Sequence, residues 1–155
     1  MSFTPRSRDD VGRIVARSMV SATASPREEY ALAVAERDGG KLIGLVRLAI
    51  DPHQQRAATI GGALRPDTWG AGYGREMLRL LLALAFADLD LHRIWAARSE
   101  LNVAAEKTML AEGMTEEGYI REHIKKDGKW RDSVVHSILD HEWTATERSR
   151  KPRES

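Results

Sequence analysis

The sequence predicts an α+β fold built on a mixed sheet. Three observations carry this reading: strand-length apolar segments recur along the chain, two helical runs are interleaved among them, and Asp-Gly turns join neighbouring strands near both ends, at Asp38-Gly39 and Asp127-Gly128. Hairpins at both ends exclude a purely parallel, doubly wound sheet.

The elements follow in order. Asp9 or Asp10 is placed to cap a first helix, in which Val11, Ile14, Val15 and Met19 recur at helical spacing. YALAVAER and KLIGLVRLAID then read as two strands around the Asp38-Gly39-Gly40 turn. Residues 57–65, AATIGGALR, form a third strand, weakened at Gly61 and Gly62 where another backbone or a ligand comes close. From about Gly74 to Leu89 a helix is apolar around most of its circumference and is expected to be covered on more than one side. LHRIWAARS is a strand, Asn102 to Glu112 is a helix closed by Gly113, and two strands around Asp127-Gly128 complete the sheet. Apolar content ends at Trp143, so the reading gives a single domain over 1–143 and a basic, disordered tail over 144–155.

Composition bounds the function. A chain of 155 residues supports one domain and one site. Its 24 Lys and Arg against 23 Asp and Glu leave a net charge of +1, too small a field to argue for nucleic acid or an anionic membrane. The absence of cysteine removes disulfides, thiol nucleophiles and thiolate metal sites, and suits a reducing cytoplasm. MSFTPRSRDD has no apolar signal core, and the longest apolar run, Leu80 to Ala87, is too short to span a bilayer, so a cytoplasmic protein is expected. The five histidines show no metal-binding spacing.

One stretch points to chemistry. In RPDTWGAGYGRE, Gly70, Gly72 and Gly74 alternate between a proline turn and a helix start, where free N–H groups and the positive dipole end suit an anion. The spacing matches neither the dinucleotide fingerprint nor the Walker loop. Chance alone gives such a triplet in roughly 7% of chains of this composition, so context must decide.

The context is RPDTWGAGYGRE with its apolar helix, then LHRIWAARSELN, the helix from Asn102 to Gly113, and REHIKKDGKWRDSVVHSIL. From about Tyr30 to Trp143 this order resembles the GNAT superfamily of N-acetyltransferases, in particular the branch of ribosomal-protein N-terminal acetyltransferases. The resemblance implies a mostly antiparallel sheet flanked by helices, with acetyl-CoA as cosubstrate and a primary amine, on a protein N-terminus or a small molecule, as acceptor. It places the diphosphate on Trp69, Gly70, Ala71, Gly72, Tyr73, Gly74 and Arg75, and the pantetheine arm beside Ala63, Leu64 and Arg65. It also implies that Asn102, which reads equally well as a plain N-cap, faces the cofactor, that Lys107, otherwise a solvated helix lysine, is placed to reach its phosphates, and that no metal is involved.

The chain also departs from the family pattern. Where members carry a Tyr or Ser acid and a carboxylate base, this sequence has Met109, Ala105 and Thr59, so the catalytic groups stay unassigned. Glu100 and His136 are candidates for substitute bases acting through water, but nothing in their spacing distinguishes them from solvated charges. The expected mechanism is direct attack by an α-amine-like nucleophile, whose reference pKa of about 8 leaves roughly a tenth neutral near pH 7. The rival readings are a non-catalytic acyl-CoA-binding protein and an adaptor using the basic tail for RNA or ribosomes. Members usually begin with a further strand and helix, so the usual first strand is expected to be missing, which favours a homodimer covering an exposed edge or apolar face.

Overall fold

The computed structural model describes residues 7–150. Ser7 opens helix α1 (Arg8–Ala22): its Oγ accepts from the Asp10 N–H, and the Asp10 carboxylate accepts from the Ser7 N–H, each at 3.1 Å. This reciprocal capping box places the cap at Ser7, ahead of the acidic pair, with Asp10 as its return arm. No residue of α1 is buried, and Val11, Val15 and Met19 face solvent. The apolar spacing thus marks a stripe that the described residues leave uncovered.

Six strands follow: β1 (Glu29–Ala35), β2 (Leu42–Ile50), β3 (Ala57–Leu64), β4 (Arg93–Arg98), β5 (Thr115–Lys126) and β6 (Lys129–Leu139), arranged β1-β2-β3-β4-β6-β5. Every neighbouring pair is antiparallel except β3 and β4. Both predicted hairpins form. Asp127 and Gly128 take φ of 50° and 74°, the doubly left-handed turn that suits the twist of paired strands. No strand precedes α1 among the described residues.

Helices α2 (Tyr73–Ala83) and α3 (Val103–Ala111) pack side by side. Leu78, Leu81 and Leu82 of α2, with Ala85 and Phe86 of the wide turn after it, close a core over Val46, Leu48, Ala58, Ile94, Ala96 and Ile138. That burial of aliphatic side chains is the main favourable term for the fold. Leu80 is 65% exposed, so α2 is covered on one side rather than on several.

Helix α4 (Asp140–Arg150) corrects the boundary drawn at Trp143. The chain stays helical across it, with the Thr144 and Thr146 hydroxyls donating to the Asp140 and Glu142 carbonyls. Trp143 tilts against Phe86 with ring centroids 5.4 Å apart. Loss of apolar residues is a poor stop signal where a helix is anchored by one aromatic and continues on polar side chains. The remainder of the tail, 151–155, lies outside the described residues.

Candidate active site

The parallel pair β3–β4 is short. It is held only through Ala57↔Arg93, Ala58↔Ile94 and Thr59↔Trp95, and beyond that last pair the strands part while β3 stays on β2 and β4 stays on β6. Main-chain groups in an antiparallel strand alternate in direction. Because the Arg65 N–H donates to Ile43 O and the Asp51 N–H to Ala57 O, odd-numbered residues of β3 address β2. Gly62 and Leu64 therefore turn their main-chain groups into the opening, with the Ile60 C=O behind them while the Ile60 N–H belongs to the last rung to Trp95, and together they make a strand-shaped slot for an extended ligand. Of the three residues expected beside the pantetheine arm, Leu64 faces the slot, while the backbones of Ala63 and Arg65 are turned to β2. Ile60 and Gly62 share the side of the strand that Leu64 presents to the slot. Strand alternation counted back from Leu64 is the signal that could have found them.

Gly62 is bare for a steric reason. A Cβ there would sit 3.0 Å from Leu45 O and from Val46 Cγ1, and 3.3 Å from Met77 Cε of α2.

At the mouth of the slot, Pro66–Thr68 forms a single 3₁₀ turn, and the Thr68 hydroxyl closes it on Arg65 O at 2.7 Å. Trp69 lies largely in solvent, with its indole N–H donating to Leu64 O at 3.0 Å. It thus clamps the loop to the end of β3. Gly70 and Gly72 have φ of 80° and 88°, and nothing stands within 4 Å of where a Cβ would be. Backbone conformation demands these two glycines, and the space beside them is open. Gly72 caps α2 without a side-chain acceptor, and its carbonyl takes the N–H groups of Arg75 and Glu76. The N–H groups of Tyr73 and Gly74 at the helix start thus lack a capping partner. Converging donors at a positive dipole end suit a phosphate or diphosphate.

Gly74 serves another purpose. Its φ is not positive, and a Cβ would meet Thr108 Oγ1 of α3 at 3.7 Å and Leu64 Cδ1 at 3.9 Å. It lies where α3 crosses the first turn of α2. Lys107, one residue before Thr108, is exposed. Asn102 caps α3, its Oδ1 accepting from the Ala105 N–H at 3.1 Å, which leaves its amide nitrogen as a donor. Arg75 Nε donates to Glu112 Oε1 at 3.0 Å, and Arg79 donates from Nε and Nη2 at 3.3 Å each.

Among the described residues no acid–base pair stands at the fork. Met109 packs against the core, and Thr59 is paired between β2 and β4. The buried polar cluster lies under α3. His136 is fully buried beside Arg98, which pairs with Glu106 at 3.2 Å and Glu116 at 3.6 Å. Both ring nitrogens of His136 lack a hydrogen bond among the described residues, and burial, then the Arg98 charge, push its pKa down. Glu100 is exposed. Among the described residues no group of His, Asp and Glu could hold a metal, and no helix is long and apolar enough to cross a membrane. A cavity of ≈ 460 Å³ lined by Arg56, Phe86, Asp90 and Trp143 lies at the closed end of the fork, away from the glycine loop.

The chain is similar to known proteins in sequence and in fold. The acetyltransferase (GNAT) domain family matches residues 1–115, and the chain belongs to that family. YjcK of Bacillus subtilis (strain 168), named a probable N-acetyltransferase, is 33% identical over 114 residues, 73% of this chain and 63% of its own length. Spermidine N-acetyltransferase from Vibrio cholerae, solved in complex with CoA and spermine, shares the fold with a TM-score of 0.78 at 23% identity, over 92% of this chain and 81% of its own. Ribosomal-protein-S5-alanine acetyltransferase from Vibrio fischeri does so with a TM-score of 0.78 at 22% identity, over 91% and 79%. The chain spans about half to two thirds of the length of the curated relatives it matches, 49%, 60% and 63% of three of them.

Proposed function

We propose that the protein is an acetyl-CoA-dependent N-acetyltransferase acting on a primary amine. The observation that carries this reading is the continuity of slot and loop: the Ile60 carbonyl, the backbone of Gly62 and the Leu64 N–H, left without a β4 partner, run directly into the uncapped N–H groups of Gly70 to Gly74. A pantetheine arm is extended and carries amides that pair with a strand, and a diphosphate is the anion the helix start accepts. The chemistry of this donor set fits CoA, and the fold neighbour solved with CoA and spermine supports the same ligand.

When bound, acetyl-CoA supplies an activated acyl group. The chain then has to orient it, exclude water and present the acceptor. Trp95 is the last residue paired at the fork, and cross-strand pairing puts it in one row with Ala49, Thr59, Ser137 and Thr115, on the face opposite Ile94 and Ala96 of the core. Above it on that face stand the small residues Gly61 and Ala97. This open, shallow face beside the fork is where an amine approaches the thioester, with the Trp95 indole as its floor. An acceptor whose pKa is near 8 reaches the fork partly neutral and needs no strong base from the protein. Positioning and main-chain N–H groups then supply the acceleration. Named neighbours act on spermidine and on a ribosomal-protein alanine, both primary amines. The exposed stripe of Val11, Val15 and Met19 supports a homodimer, and the absence of cysteine supports a cytoplasmic setting.

The missing acid and base at Met109, Ala105 and Thr59 favour one other reading, a protein that binds acyl-CoA without turnover. Calorimetric titration with acetyl-CoA, followed by release of free thiol against a panel of peptides and polyamines, separates the two. Binding with amine-dependent thiol release supports the transferase, binding without release supports the second reading, and no binding refutes both.

A further inference from the structure

We propose that Glu112 is a positioning residue that holds Arg75 over the glycine loop, where the outer guanidinium nitrogens of Arg75 meet the diphosphate of the cosubstrate. This rests on the acetyl-CoA reading above. Glu112 is 1% exposed and stands at the C-terminal cap of α3, where the helix dipole disfavours a negative charge. A buried carboxylate in that position needs compensation. It receives it from two arginines of α2, four residues apart on one face of the helix.

The two arginines are not equivalent. Arg79 gives two donors to Glu112 and is also faced by Glu147 and Glu76, so its charge is absorbed by carboxylates. Arg79 alone would suffice to tie α2 to α3. Arg75 gives only Nε, its side chain is 52% exposed, and its terminal nitrogens have no hydrogen bond among the described residues. Arg75 lies in the first turn of α2, three residues after the cap at Gly72, beside the glycine loop. Tethered through Nε, a guanidinium still offers two parallel donors suited to a phosphate. A lysine cannot hold the carboxylate and the phosphate at once. The local sequence, an Ala-Glu-Gly helix end, gives no hint of this role.

The test compares wild type, Arg75→Ala, Arg75→Lys and Glu112→Leu, titrating each with CoA by calorimetry and with pantetheine, which lacks the phosphates, by NMR. All three variants should bind CoA roughly tenfold to a hundredfold more weakly, the loss expected for one charge-assisted contact. Pantetheine affinity should stay within about twofold, and Glu112→Leu should add nothing in an Arg75→Ala background. Wild-type-like CoA affinity in Arg75→Ala or Glu112→Leu overturns the proposal, as does an equal loss of pantetheine. If Glu112→Leu fails to fold, Arg75→Lys decides, because it leaves Glu112 paired with Arg79, and unchanged CoA affinity there overturns the proposal. Wild-type protein that binds no CoA refutes the acetyl-CoA reading itself, a separate outcome.

Discussion

Thr59 and Trp95 form the last pair between the only two parallel neighbours of the sheet, and the strands separate immediately beyond them. Trp95 therefore stands at the point of the fork, on the face turned away from the α2–α3 core. Replacing it by alanine should raise the KM for the amine about fivefold while leaving CoA affinity within about twofold, since aromatic contact is worth on the order of 1 kcal/mol. Trp95→Phe should recover most of the loss. Steady-state kinetics with a fixed acceptor checks this, and a parallel loss of CoA binding would place Trp95 in the scaffold.

The three loop glycines should behave differently. Gly72→Ala forces a side chain into a left-handed cap at a cost of about 1–2 kcal/mol and fills the open space beside the free N–H groups. CoA affinity should drop about tenfold. Gly74→Ala meets only ordinary contacts and gains helix propensity of up to about 1 kcal/mol, so it should bind CoA normally. Equal losses in the two variants would contradict this division.

His136 is buried, and its two ring nitrogens make no hydrogen bond among the described residues. Its lowered pKa means that the unfolded chain takes up a proton first as pH falls below about 6.5, which drains stability. His136→Leu should leave stability unchanged or raise it by up to about 1 kcal/mol, flatten the pH dependence below 6.5, and leave acetyl transfer within about twofold. A tenfold drop in turnover with intact CoA binding would make His136 a participant in the chemistry.

Acid stability should depend on Glu117. Its hydrogen bond from Arg93 comes first, and with the Ser137 hydroxyl holds the carboxyl at about 2. The depressed pKa means that the pair stabilises fully above the ordinary carboxylate value of about 4.3 and fades as pH falls toward 2. Solvent exposure on the glutamate side limits the effect to about 1 kcal/mol. Urea unfolding between pH 5 and 2.5 should show a shallower slope for Glu117→Gln, and an unchanged slope would deny the linkage.

Much of the architecture was legible because punctuation carried it. Both Asp-Gly hairpins, the proline turn and the α3 cap at Asn102 are local chemistry, and local chemistry can be read from neighbours in sequence. The glycine loop was legible for the same reason. The backbone parity of β3 was not, because it is set by pairing with β2 at Ile43 and Leu45, some twenty residues away. Glu112 was illegible in a stronger sense, since its burial depends on Arg75 and Arg79 arriving from another helix. The uncovered stripe of α1 and the continuation of α4 past Trp143 show the converse, local patterns whose packing the sequence did not determine.

The central claim is that the free N–H groups between Gly70 and Gly74 grip a diphosphate. A ¹⁵N–¹H NMR titration with CoA tests it most directly. The amide signals of Gly70, Ala71, Gly72, Tyr73 and Gly74 should move furthest, with Ile60, Gly62 and Leu64 following along the slot. Signals at the loop that stay fixed while others move, for instance around the cavity at Arg56 and Trp143, would contradict it.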